Sequence, residues 1–260
     1  MQIFTRRRRL TAGLFAAAGA LLALVPAGAA HAIANGTPVP EGQYRFSVKL
    51  TMTGIPTADG GRRNSACSGA LIAPQWILTA GHCFRDADGV RVDRPVADLT
   101  TATVGRADLT GSNGHVATVI AVRQSPSNDI AVAKLDTPIT DIRPIRLATT
   151  APAVNSVVRL TGYGSTDGTV IVPATQLHTG QFTVTSVAAT TLTVTGHAPQ
   201  RDTSPCPYDS GAPYFVESRN RQPVLVSVES DGPDCPHSLD ETTSRVDVVR
   251  RWIQTQVAKG

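Results

Sequence analysis

The sequence lacks the compositional biases of fibrous and disordered proteins. Charged residues occupy only 17 % and aromatic residues only 5 % of its 260 positions, whereas 41 % are hydrophobic. This globular composition excludes a disordered tail, a collagen-like chain and a coiled coil. Beyond residue 32 the chain also lacks internal repeats, low-complexity linkers and, over most of its length, helical periodicity. The chain is long enough to bury a sizeable core.

Only one long hydrophobic run occurs, at residues 10–30. It follows four consecutive arginines and ends in Ala30-His-Ala32, a small-x-small pattern. This order predicts a signal peptide over residues 1–32 rather than a membrane span. The arginines also fit a twin-arginine signal, so the export route stays open. We expect cleavage after Ala32 to release residues 33–260 as a secreted, extracellular protein that does not associate with a membrane.

The excess of positive charge lies in this leader. The whole chain has 24 Lys and Arg against 20 Asp and Glu, and residues 1–32 contain four of the arginines and no acid. Residues 33–260 are therefore neutral overall, and we expect no nucleic-acid partner.

Cysteine is scarce, with four residues at Cys67, Cys83, Cys206 and Cys235. In an exported chain two disulfides are expected, and of the three possible connectivities the local one joins Cys67 to Cys83 and Cys206 to Cys235. A zinc site is the competing use, but the short Cys/His spacings that it needs are missing, since only His82 adjoins a cysteine. We expect neither a metal nor a cofactor. The remaining histidines beyond the leader are expected at the surface: His115, His178, His197 and His237.

Short runs of β-branched residues fill the rest of the chain. They are about one strand long and are separated by Gly, Pro, Asn and Asp, at residues 46–51, 117–122, 156–161, 181–185, 190–195 and 223–228. This spacing predicts an all-β barrel or sandwich, with residues 143–155 as the junction between two halves. At the end, three- and four-residue spacing predicts an amphipathic helix that buries Val246, Val249, Trp252, Ile253 and Val257.

Three residues of the types that make up a nucleophilic triad stand in distinctive surroundings: His82, Asp129 and Ser210. A serine hydroxyl is a poor nucleophile at neutral pH and needs an adjacent base. That base needs a carboxylate to fix its tautomer and stabilise its charged form. Sequence spacing does not show that the three converge in space.

The motifs around these residues resemble the trypsin/chymotrypsin family of serine proteases. The matching segments are Cys67-Ser-Gly-Ala-Leu-Ile72, Gln75-Trp76, Thr79-Ala-Gly-His-Cys83, Asp129-Ile-Ala131, Gly162-Tyr-Gly164, Asp209-Ser-Gly211 and Trp252-Ile253. The resemblance spans residues 33–255 and keeps the family's His, Asp, Ser order. It implies two six-stranded antiparallel β-barrels, a cleft between them that holds the active site, and the local disulfide pairing.

The resemblance further implies a secreted serine endopeptidase, here of bacterial type, that acts on proteins or peptides through an acyl-enzyme. Ser210 would be the nucleophile, His82 the base and Asp129 its orienting group, and the Tyr208 and Ser210 N–H groups would form the oxyanion hole. We expect a monomer. Two alternatives stay open: a catalytically impaired binding protein with a protease fold, and an esterase that uses the same triad.

The amino terminus has an implied role of its own. In the family a new terminal amine pairs with the Asp that precedes the nucleophile, and Ile33-Ala-Asn-Gly36 resembles the segment that supplies it. Since the predicted signal cleavage exposes Ile33 directly, we expect an Ile33–Asp209 ion pair to form without removal of a propeptide.

Two regions depart from the family pattern. Tyr208 and Ala212 stand where the family has glycines, and Tyr208 is expected to strain the oxyanion loop. In the substrate pocket, Ser204 stands where enzymes selecting Lys or Arg carry an Asp.

The pocket wall departs as well. Ser227-Val-Glu-Ser230 resembles a Ser-Trp-Gly segment, so that Val228 and Glu229 would replace its Trp and Gly, and Glu241 falls near another pocket glycine. Either glutamate could supply the missing negative charge and select basic residues, or its bulk could select small ones, or both could be rim charges.

Overall fold

A computed structural model of the chain describes residues 1–2, 32–165, 168–169, 171–217 and 221–260. The predicted signal peptide therefore lies outside the described residues, apart from Met1, Gln2 and Ala32. Within the described part, no helix is both long and apolar enough to cross a membrane.

The secondary structure is almost entirely β. In chain order the strands are β1 (Thr37–Pro38), β2 (Ser47–Pro56), β3 (Arg62–Ala73), β4 (Trp76–Thr79), β5 (Leu99–Val104), β6 (His115–Gln124), β7 (Ala131–Leu135), β8 (Arg146–Leu147), β9 (Val157–Gly162), β10 (His178–Val187), β11 (Thr191–Ala198), β12 (Pro213–Val216), β13 (Val224–Asp231) and β14 (Glu241–Arg245). One α-helix, α1 (Arg250–Lys259), follows, and 3-10 turns form at Gly81–Phe84 and Asp247–Val249.

Two closed antiparallel barrels of six strands make up the fold. The first closes in the order β2-β3-β4-β7-β6-β5. The second closes in the order β10-β11-β14-β13-β12-β9, because β9 also pairs with β10. The alternating sequence explains the inside and outside of each barrel. In β11, for example, Leu192 and Val194 are fully buried while the alternating threonines, Thr191, Thr193 and Thr195, are half-buried. The all-β prediction of two six-stranded barrels with a C-terminal helix is confirmed.

Residues 136–156 connect the last strand of the first barrel to β9, and they contain the predicted junction region. Within this connection the short strand β8 pairs in parallel with β13. The helix α1 and the turn before it bury Val246, Val249 and Ile253 in the same hydrophobic cluster as the core of the first barrel.

Both disulfides join the cysteines of the local pairing, Cys67 to Cys83 and Cys206 to Cys235. The first ties β3 to the turn that carries His82. The second ties the segment that leads to Ser210 to the segment after β13. Each disulfide therefore fixes one side of the cleft between the barrels. By closing a loop, each raises the free energy of unfolding by about 2–4 kcal/mol.

The prediction that all four remaining histidines lie at the surface is wrong for His178, and it is wrong for His237, whose side chain is only 8 % exposed beside Glu241. His178 is fully buried in β10, where its Nδ1 accepts a hydrogen bond from the Ala32 N–H at 3.0 Å. Its backbone lies between two strands, opposite Pro38 of β1 and Gly162 of β9.

Candidate active site

His82 and Asp129 form a close pair on the first barrel. His82 lies in the 3-10 turn after β4, and Asp129 lies two residues before the start of β7, which pairs with β4. The imidazole Nδ1 is 2.6 Å from Asp129 Oδ2, and the His82 backbone N–H donates to Asp129 Oδ1 at 2.8 Å. A proton on Nδ1 satisfies this contact, which leaves Nε2 as the acceptor of the ring.

Two further side chains hold the Asp129 carboxylate. The Ser230 hydroxyl of β13 donates to Oδ2 at 2.8 Å, and Arg91 Nη1 lies 3.5 Å from Oδ1. Burial alone would raise the pKa of Asp129, but the hydrogen bond and charge of His82 and the Ser230 hydroxyl lower it to about 2. Asp129 is therefore ionised throughout the neutral range.

Ser210 comes from the second barrel. Together with His82 and Asp129 it lines one cavity of about 760 Å³ in the cleft. Its carbonyl oxygen accepts a hydrogen bond from the Ser68 N–H of the first barrel at 2.9 Å. Gly211 follows with φ of 82°, and a Cβ there would overlap Thr79, Ser68 and the Ala80 nitrogen. Only glycine allows the loop that carries Ser210 to approach the first barrel this closely.

Asp209 is completely buried behind Ser210. Its carboxylate accepts hydrogen bonds from the N–H groups of Gly164 at 2.8 Å and Cys206 at 3.0 Å. A Cβ at Gly162 or Gly164 would overlap the carboxylate, which explains the Gly-Tyr-Gly motif. Burial raises the pKa of Asp209 to about 6, against the opposing effect of these N–H donors and the Lys49 charge.

Ile33 reaches this carboxylate. It is completely buried, and its backbone N–H is among the hydrogen-bond donors that lower the pKa of Asp209. An antiparallel bridge between Ala34 and Ser204 holds the segment in place. The structure thus brings Ile33 and Asp209 together.

Tyr208 adopts a left-handed backbone conformation with φ of 79°. For a bulky residue this conformation costs about 1–2 kcal/mol. The preceding carbonyl, of Pro207, accepts a hydrogen bond from the Ser165 N–H at 2.6 Å. Because C=O and N–H point in opposite directions across a trans peptide, the Tyr208 N–H is directed away from Ser165.

Two buried glutamates line the same cavity as Ser210. Glu229 of β13 is 5 % exposed and Glu241 of β14 is 2 % exposed. The Tyr214 hydroxyl donates to Glu229 at 2.9 Å. Burial and the neighbouring Glu241 charge raise the pKa of Glu229 well above its usual range. Burial, with the charges of Asp209 and Asp231, raises the pKa of Glu241 to about 8.

His237 is the nearest basic partner of Glu241, with its Nε2 2.7 Å from Oε1. Its Nδ1 accepts a hydrogen bond from the Leu239 N–H at 3.1 Å, so the proton of the neutral ring lies on Nε2. Burial lowers the pKa of His237, which favours this neutral form. Among the described residues no Lys or Arg forms an ion pair with either glutamate.

The predicted pocket residues fall into two groups. Glu229 and Glu241 line the cavity, whereas Ser204, Ser227 and Val228 are buried outside its lining. The Ser227 hydroxyl accepts a hydrogen bond from Thr243, and Val228 packs in the hydrophobic core. Beside Glu229, the cavity wall is formed by residues 230–232, further along the same segment. The serine that contacts Asp129 is accordingly Ser230.

Sequence reasoning missed three residues of this site: Ser230, Arg91 and Lys49. Ser230 carries a sequence signal, because it begins a second serine-led triplet, Ser-Asp-Gly, that ends in the glycine of the Ser-Trp-Gly pattern. Arg91 and Lys49 carry no comparable motif. No group of three or more His, Cys, Asp or Glu with metal-binding geometry occurs in the part of the chain that the structure describes.

The fold is that of the serine proteases of the trypsin type. The model of the Trypsin family matches residues 33–253, and the chain belongs to this family. A trypsin-family domain supports a peptidase function.

Curated proteins are similar in sequence to this chain, over stretches of different length. The chain is 27 % identical to serine protease 56 of Mus musculus over 256 residues, which cover 88 % of this chain and 39 % of that protein. It is 37 % identical to brachyurin of Leptuca pugilator over 106 residues, covering 38 % of this chain and 44 % of that protein. It is 30 % identical to a trypsin-like protease of Streptomyces glaucescens over 158 residues, which cover 57 % of this chain and 51 % of that protein. The matches thus cover about two fifths to half of the length of these relatives.

Proposed function

We propose that this protein is a secreted serine endopeptidase whose triad is His82, Asp129 and Ser210. Ser210 Oγ attacks the carbonyl carbon of the scissile peptide while His82 Nε2 takes its proton. The Tyr208 and Ser210 N–H groups hold the resulting oxyanion. His82 then protonates the leaving amine, and water, activated by the same nitrogen, hydrolyses the acyl-enzyme.

The observation that carries this proposal is the 2.6 Å contact between His82 Nδ1 and Asp129 Oδ2 beside the cavity that Ser210 lines. The contact fixes the imidazole with its basic nitrogen free, and the low pKa of Asp129 keeps the orienting carboxylate charged. A binding protein would gain nothing from holding a histidine in this tautomer.

A fluorophosphonate probe tests the proposal directly. We expect intact-mass analysis of the purified protein to show one covalent adduct, which is lost in Ser210→Ala and His82→Ala. The matched control Ser112→Ala, at an exposed position, should keep it. If the folded protein takes up no probe, the binding-protein alternative replaces this proposal. Labelling without peptide cleavage would favour the esterase.

We further propose that the pocket selects Lys or Arg at the cleavage site. Glu229 and Glu241 are two buried carboxyl groups on one cavity wall with a neutral histidine as the nearest base. Burying negative charge without a partner is costly, and a cationic substrate side chain removes that cost. The competing hypothesis, a preference for small substrate residues at the cleavage site, would follow from the size of the two glutamate side chains alone.

Signal cleavage after Ala32 is proposed to activate the enzyme. The Ile33 amine would then face the buried Asp209 carboxylate that its N–H already contacts. We expect the active protein to begin at Ile33. One extra residue at this end should lower kcat/KM by about 10²-fold, because losing one partner of a buried ion pair costs about 3–5 kcal/mol. Intact mass and peptide hydrolysis of the two forms measure this, and full activity of a form that begins elsewhere would contradict it.

A further inference from the structure

Lys49 is a buried lysine at the interface between the two barrels. It lies on β2 and is only 4 % exposed. Side chains two residues apart on a strand share a face, and Ser47 on this face contacts Thr161 of β9 at 2.8 Å. Lys49 therefore points out of the core of the first barrel and towards the second.

The Lys49 ammonium ends against the loop that carries Ser210. It donates a hydrogen bond to the Tyr163 carbonyl at 2.7 Å and lies 5.5 Å from the centroid of the Tyr208 ring. This distance is within the range of a cation–π interaction, which burial strengthens. The Ser68 hydroxyl links the same two tyrosines, since it accepts from the Tyr163 N–H and donates to the Tyr208 carbonyl.

Tyr208 needs such support because its φ of 79° is unfavourable for any residue other than glycine. A strained conformation of this kind persists only where the surroundings determine it. Here the Pro207 carbonyl, the Tyr208 carbonyl and the Tyr208 ring are each held by a different partner. Lys49 is the partner of the ring.

We propose that Lys49 is a positioning residue for the oxyanion hole: its buried ammonium holds the Tyr208 ring and so keeps the Pro207–Tyr208 peptide in the orientation that turns the Tyr208 N–H away from Ser165. The inference rests on the proposed function, because it concerns the donor that stabilises the reaction's oxyanion. Lys49 compensates for a tyrosine at a position where glycine would adopt the same backbone without help.

A second effect of Lys49 has to be separated from this one. Its charge also attracts the buried Asp209 carboxylate, although burial lowers the pKa of Lys49 to about 8. The charge effect does not depend on the side chain at position 208, whereas the positioning effect does. The two are therefore distinguished by removing the tyrosine ring.

The test is a double-mutant cycle of Lys49→Met and Tyr208→Gly. The measurements are kcat and KM for one peptide substrate, and the inhibition constant of a peptide aldehyde of the same sequence, which forms a tetrahedral adduct. We expect K49M to lower kcat and weaken aldehyde inhibition by about 10–100-fold, with KM within about twofold, since loss of one oxyanion donor costs about 10²–10³. In the Y208G background K49M should change kcat by less than about threefold.

Lys134→Met is the matched control, because Lys134 bonds the Gly260 carbonyl at 3.0 Å and lies outside the site. Melting temperatures establish that each variant is folded. Should K49M not fold, Lys49→Arg, which keeps a cation on the ring, is compared with Lys49→Gln, which does not; K49R should retain kcat and K49Q lose it.

An equal loss of kcat in both backgrounds, or no loss with Tyr208 present, would overturn the inference. An inactive wild-type protein that takes up no fluorophosphonate would instead overturn the proposed function, before any variant is compared.

Discussion

Replacing Ser210 with alanine is expected to lower kcat for peptide hydrolysis by about 10⁴–10⁶-fold. The hydroxyl is the only group placed to form the acyl-enzyme in the proposed mechanism, and the residual rate would come from the oxyanion donors and substrate binding alone. His82→Ala should cost about as much, and Asp129→Asn about 10⁴-fold, because an amide no longer selects the Nδ1–H tautomer.

The effects of these substitutions on kcat should not be independent of one another. Once Ser210 is absent, His82 has no proton to accept, so the S210A/H82A double variant should be as slow as either single one within about threefold. The kcat values of the wild type, the two single variants and the double variant are measured by hydrolysis of a fluorogenic peptide at saturating substrate concentration. Independent, multiplying effects would mean that the two residues do not act on one reaction, and the triad would have to be abandoned.

Glu241→Gln is expected to lower kcat/KM for substrates with Arg or Lys at the cleavage site by about 10²-fold or more, because it removes one partner of a buried ion pair. Substrates with a neutral residue there should change by less than about threefold. The amide keeps the size of the side chain, so a pocket that selects by bulk would behave in the same way before and after the substitution.

The pH dependence of this selectivity follows from the raised pKa. With a pKa of about 8, Glu241 is mostly protonated at neutral pH in the free protein. A bound cation favours the carboxylate, so binding releases a proton and becomes tighter as the pH rises towards 8. The ratio of kcat/KM for Arg over neutral substrates should therefore increase between pH 6 and 8, and E241Q should flatten it.

Asp240→Asn is the matched control for this prediction. Asp240 is the exposed acid next to Glu241, and it accepts a hydrogen bond from Thr185 outside the cavity. The substitution removes one negative charge nearby without touching the pocket and should leave the selectivity unchanged. Indifference of the wild-type protein to Arg, Lys and neutral residues would reject the charge hypothesis outright.

The sequence predicts the fold well, and it singles out the candidate triad, because each carries a strong local pattern. Alternation along runs such as 190–195 determines which side of a barrel a residue faces, and the motifs around His82 and Ser210 are long enough to identify the family. The cavity wall is different, because Ser227 and Ser230 each begin a plausible triplet. A register irregularity between Glu229 and Asp231 determines which serine faces Asp129, and a bulge has no unique signature in sequence.

Lys49 illustrates a second limit of prediction from the sequence. A lysine that alternates with hydrophobic residues in a strand is ordinarily read as facing solvent. In β2 four consecutive residues from Ser47 to Leu50 are buried, since one face lies in a barrel core and the other against the neighbouring barrel. Packing of one barrel on another decides this burial, and no local pattern reports it.

The order in which the chain emerges during synthesis or export gives the C-terminal helix a timing role. Residues 250–259 are the last to appear, yet Ile253 completes a hydrophobic cluster that begins with strands some two hundred positions earlier. Until then the first half of the molecule keeps an open apolar face. The hydrophobic core of the first barrel is therefore complete only once the final segment of the chain has emerged.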